Sequence, residues 1–142
     1  MSNQPNTMTA EQKLKHLILN KQAEWAKETP PEITADNVDA VYQEAYDNDG
    51  GSLQDARNDV RASGDDTGLK CEWSRHYESK AVACQYLDGS WIGWTYWYGG
   101  GKHGEPEGID WMDEAYDLTV TEEPRTIIHR TFTKVEATNE AV

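Results

Sequence analysis

The chain has 142 residues, enough for one domain whose core needs neither metal nor disulfide to hold it. It carries 26 acidic and 13 basic residues, a formal net charge of −13, with only 37% apolar residues. Such a field repels nucleic acid and anionic lipid, so direct binding to DNA, RNA or a membrane is not expected, and a basic protein is the favoured partner.

Residues 1–8 read as a flexible polar tail. Thr9-Ala10-Glu11-Gln12 has the form of a capping box, and Leu14, Leu17, Ile18 and Trp25 follow at helical spacing. Pro30-Pro31 ends this helix by about Glu28. A second helix starts near Thr34 or Asp36 and lines up Val38, Val41, Tyr42, Ala45 and Tyr46 on one face. Asn48-Asp49-Gly50-Gly51 stops it. Ser52-Leu53-Gln54-Asp55 opens a short third helix, with Leu53, Ala56 and Val60 inward, closing near Ser63-Gly64.

After Gly68 the period changes to two: Leu69, Cys71 and Trp73 alternate with polar residues and predict a first strand. Residues 81–87 predict a second, and Asp88-Gly89 a two-residue hairpin into a third at Trp91. That register sets Tyr86 opposite Trp91, Cys84 opposite Gly93 and Ala83 opposite Trp94. Residues 115–121 predict a fourth strand and residues 126–135 a fifth, with Ile128 and Phe132 on one face and Glu122-Glu123-Pro124 as the turn between. The fold class is therefore α+β: two or three N-terminal helices packed on an antiparallel sheet of about five strands. The expected domain covers 9–135, helical over 9–63 and sheet over 68–135, followed by a second flexible tail at 136–142.

The third strand carries rings on both faces, Trp91 and Trp97 on one, Trp94, Tyr96 and Tyr98 on the other. One face takes the helices. The second is covered by loop 99–108 with Trp111, by a second copy in a homodimer, or by a partner, because a monomer rarely leaves such a patch bare. Trp91, Trp94, Tyr96, Trp97 and Trp111 are the aromatic interaction candidates. Residues 28–66 have eleven acidic against two basic side chains and residues 105–123 eight against none, which adds Asp113, Glu114 and Asp117. Two such blocks on one domain also suit a mimic of the charge along a nucleic-acid backbone.

Several motifs fail on spacing. Gly99-Gly100-Gly101-Lys102 lacks the first glycine and the hydroxyl of a phosphate loop, having Tyr96 and His103 there. Asp47-Asn48-Asp49-Gly50, aligned as a calcium loop, puts Ala45 and Ala56 at the first and last ligand positions. Two His-x-Glu triplets remain: His76 with Glu78, and His103 with Glu105. If both reach one end of the sheet, they form a set for zinc, manganese or iron, or an acid–base pair. No catalytic residue is assigned. Cys71 and Cys84 are expected to face each other as reduced thiols, and with no signal peptide or membrane span in the sequence the expected compartment is cytoplasmic. The expected function is an acidic accessory or inhibitory module for a basic, nucleic-acid-handling protein. The competing expectation is a small metal- or ligand-binding protein, hydrolytic at the His/Glu site.

Overall fold

The computed structural model describes residues 7–101 and 104–135. Its first helix, α1, spans Ala10–Ala26. The Thr9 hydroxyl accepts from the Gln12 amide at 3.1 Å while the Gln12 side chain accepts from the Thr9 amide at 3.0 Å, so the capping box forms as read. Lys27 closes the helix in the left-handed region, and the Glu28 amide returns to the Ala23 carbonyl at 2.9 Å. Leu14, Ile18 and Leu19 are buried, but Trp25 is 49% exposed, against expectation. Near its end the seam of α1 toward α2 (Val38–Arg61) runs through Leu19, Ala23 and Ala26, which turns position 25 outward.

The second and third predicted helices are one kinked element, α2. The break is real: Asp49 alone is non-helical, with φ −156° and ψ 75°. Its carboxylate accepts from the Ser52 amide at 3.1 Å, so the residue that ends the first half also caps the second, and no connecting loop is needed. The first half is half-buried and leaves Tyr46 exposed; the second buries Leu53, Ala56 and Val60 as expected.

Four antiparallel strands follow in the order β1 (Asp65–Asp66), β2 (Glu78–Gln85), β3 (Trp91–Tyr98) and β4 (Tyr116–Leu118). The strand predicted at 69–73 is absent. Asp65 and Asp66 take its place beside β2, the Thr67 amide and hydroxyl both donate to the Ala81 carbonyl, and Gly68, at φ 75°, turns the chain off the sheet. Trp73 ends up 83% exposed. The central hairpin is one residue out of the predicted register: Cys84 pairs with Ile92, Ala83 with Gly93 and Val82 with Trp94. The Tyr86 amide donates to the Ser90 carbonyl and the Gly89 amide to the Tyr86 carbonyl, which makes a three-residue loop ending on Gly89 at φ 93°. The predicted fourth strand shrinks to three residues. Residues 126–135 form no strand.

Helices cover the sheet face that presents Val82, Ile92 and Trp94, and Leu14, Ile18, Leu53, Val60 and Trp111 complete this core. Trp94 and Trp111 pack with ring centroids 5.4 Å apart, and the Trp94 indole donates to the Arg61 carbonyl at 3.2 Å. Arg61 itself is buried; its guanidinium donates to the Trp97 carbonyl and lies 4.6 Å from the Tyr96 ring. Burial holds its pKa below the usual arginine value. Lys13, also buried, ties α1 to the sheet through Asp117 at 3.0 Å and the Ser90 hydroxyl at 3.1 Å. No helix among the described residues is long and apolar enough to cross a membrane.

Candidate functional site

The face of the sheet turned away from the helices is where the chain remains open. Alternation puts Ser79, Ala81 and Ala83 of β2 there, with Trp91, Gly93, Thr95 and Trp97 of β3. Tyr116 and Leu118 of β4 pair opposite Gly93 and Trp91, so they share this face. Both lean over Gly93: a Cβ at that position would stand 2.6 Å from the Tyr116 ring and 2.9 Å from Leu118 Cδ1. Only glycine permits that approach. Beside them the coil before β2 is fastened down, the Ser79 hydroxyl donating to the Glu72 carbonyl at 2.6 Å and lying 3.4 Å from Cys71 Sγ. Ala81, Ala83 and Trp97 are buried as a result.

The chain therefore covers much of its second face with its own residues, though not with those expected. Trp111 is on the helix side, under Arg57 at 5.3 Å, and contributes nothing to the outer face. At the hairpin end a groove of about 330 Å³ stays open. Ala83, Trp91 and Leu118 line it together with Leu69 and Val120, and Asp65 and Asp66 stand at its border. Leu69 and Val120 are both exposed, as are the two aspartates.

Acidic side chains also converge from distant parts of the sequence. Glu114 has its pKa raised above the usual carboxylate value, first by the charge of Glu72, then by desolvation and by Asp113 and Asp110.

Of the aromatic interaction candidates, Trp91 and Tyr96 are half-buried, while Trp94, Trp97 and Trp111 are buried within the chain. Their hydrophobicity is used in packing. Asp113 and Glu114 are exposed. Asp117 is a structural ion pair as well as a surface charge, because it pairs opposite Ile92 and so points to the helix side, at Lys13. Asp65, Asp66, Leu69 and Val120 were missed. Their only sequence signal was an acidic pair beside a glycine and a short apolar alternation.

His76 and Glu78 line a cavity of about 390 Å³ with Trp73 and Tyr98 at the other end of the sheet. The triple-glycine loop does reach this end: Gly99 packs on Glu78, and Gly100 lies against the Tyr77 ring where a Cβ would be 2.6 Å away. Glu105 begins a short 3-10 turn, Pro106–Gly108, and His103 lies outside the described residues. Among the described residues, no three His, Cys, Asp or Glu side chains form a metal-holding group. The two cysteines do not face each other, because Cys84 sits on the helix side and Cys71 on the outer side. Burial, aided by Asp65, pushes the Cys84 thiol up to about 11. No protein-family model, curated protein or solved structure matches this chain.

Proposed function

We propose that this protein is an accessory or inhibitory binding module that takes a basic, apolar segment of a protein partner onto the outer face of its sheet. The observation that carries this reading is the groove itself, an apolar floor of Ala83, Trp91 and Leu118 bordered by Asp65 and Asp66. An apolar floor supplies affinity by desolvation, and carboxylates at the rim select cations and steer their approach. The Glu72, Asp110, Asp113 and Glu114 cluster extends the negative field beyond the groove. Proteins that handle nucleic acid present such segments, since they carry Lys and Arg for phosphates.

The test is fluorescence anisotropy with two labelled peptides of equal length, one alternating Lys/Arg with Ile/Phe, the other with Asp/Glu in the charged positions. The basic peptide is expected to bind, to weaken as salt rises, and to lose binding in the Asp65→Lys/Asp66→Lys variant. Equal binding of both peptides, or an unchanged affinity in the variant, overturns the reading.

A further inference from the structure

The chain itself contains a segment with the chemistry this groove selects. Residues 124–135 hold Arg125, Arg130 and Lys134 and no acidic residue, in a protein whose net charge is −13. Ile127, Ile128, Phe132 and Val135 in the same segment are between 73% and 88% exposed, and no strand or helix forms there. On an extended chain Ile128, Arg130, Phe132 and Lys134 fall on one side, two apolar side chains alternating with two cations. That is the complement of a floor of Trp91 and Leu118 with Asp65 and Asp66 beside it.

We infer that this C-terminal arm docks in the groove of a second copy, so that two chains exchange arms reciprocally. This rests on the groove reading above, with the arm as a competitor that an added basic peptide must displace, so the Ile128→Asp/Phe132→Asp variant is expected to bind that peptide more tightly than the wild type. β4 runs antiparallel to β3 with Leu118 opposite Trp91, so the chain leaves the sheet at the hairpin end, beside its own groove, which Thr119 and Val120 help to line. The hinge is what opposes a return into that groove: Thr121-Glu122-Glu123-Pro124-Arg125 has no glycine or asparagine to make a tight turn. Pro124 holds Glu123 extended, and the Glu123 carboxylate accepts from the Arg125 guanidinium at 3.3 Å across it. A stiff hinge beside an unfilled site favours exchange between two copies, and a two-fold pair satisfies both grooves at once. Ten extended residues reach roughly 33 Å, enough to cross onto a neighbouring chain.

Mass in solution, measured by light scattering over a wide concentration range together with hydrogen exchange of the arm, tests the inference. The full chain is expected at twice its 16.1 kDa mass with arm amides protected. Ile128→Asp/Phe132→Asp, both on exposed residues, is expected to give a folded monomer. Glu122→Asn/Glu123→Gly supplies a turn and is expected to give a monomer whose arm is still protected, folded back on its own groove. A wild-type monomer overturns the exchange, whether its arm is protected or not, and so does a dimer that survives the arm variant. A synthetic peptide of residues 124–135, added to the Ile128→Asp/Phe132→Asp protein, separates the two readings. Binding by this peptide beside a monomeric wild type removes the exchange and leaves the groove reading; no binding removes both.

Discussion

Asp117 is one carboxylate in an acidic block, yet its position makes it unlike its neighbours. The Lys13 side chain it meets is 10% exposed, whereas Asp117 is 63% exposed. Replacing it by Asn keeps the shape but leaves the Lys13 ammonium with no anionic hydrogen-bond partner, only the neutral Ser90 hydroxyl and the Tyr86 ring 5.7 Å away. A hydrogen bond to a charged group contributes about 1.5–3 kcal/mol, and the solvent around Asp117 trims that figure, so Asp117→Asn is expected to cost ~1–2 kcal/mol. At about 2–4 °C per kcal/mol for a domain of this size, Tm falls by ~2–8 °C. Asp113→Asn, four residues away and exposed, is expected within about 0.5 kcal/mol of wild type. Thermal and urea denaturation followed by circular dichroism reads both, and the Lys13→Met/Asp117→Asn double variant is expected to return a coupling of ~1–2 kcal/mol. If Asp117→Asn and Asp113→Asn melt together, Lys13 is not anchored as described and the placement of β4 over α1 is wrong.

Three further expectations bear on the outer face and the core. Gly93→Val drives its side chain into Tyr116 and Leu118 and is expected to cost about 1–3 kcal/mol in urea denaturation; an unchanged midpoint would show that β4 does not close over Gly93. Cys84, with its thiol at about 11, is expected to react with iodoacetamide more slowly than Cys71 at mildly alkaline pH, read by peptide mass spectrometry. Because that pKa is raised on folding, the contribution of Cys84 to stability is present below the unfolded value near 9.0 and is lost as pH climbs toward about 11. Glu114 is expected to titrate above an ordinary glutamate by NMR and to move back down in Glu72→Gln; no response to that substitution would separate the two carboxylates.

What the sequence made legible was local. The Thr9–Gln12 box and the Leu53, Ala56, Val60 face depend on residues three or four apart, and they appear as read. Asp88-Gly89 marked the hairpin correctly but not its length. The Asp88 carboxylate accepts from both the amide and hydroxyl of Ser90, which helps fix a three-residue loop and moves every cross-strand pair by one. Alternation at 69–73 suggested a strand, but alternation cannot reveal that Asp65 and Asp66, poor strand formers, already occupy the edge. The groove was illegible for a related reason. Leu69, Trp91 and Val120 come from separate segments and meet only once the sheet is folded, as do Glu72 and Glu114.

The distribution of cations gives the surface its character. Lys13 pairs with Asp117, Lys15 with Asp39 and Lys21 with Glu24 and Asp59, while Arg57 and Arg61 lie against Trp111 and Tyr96, and Lys80 against Tyr96 and Tyr98. These cations serve the body of the domain, while Asp65 and Asp66 at the groove and Glu72, Asp113 and Glu114 in the acidic cluster are exposed. Added salt should therefore act in opposite directions on two measurements. Screening relieves self-repulsion in a chain of net charge −13, so Tm is expected to rise with salt; the same screening weakens attraction between the groove and a basic peptide. A Tm that falls with salt would mean that surface ion pairs, and not apolar packing with the buried Lys13 and Arg61 contacts, hold the fold. Binding that ignores salt would leave Asp65 and Asp66 without a part in recognition.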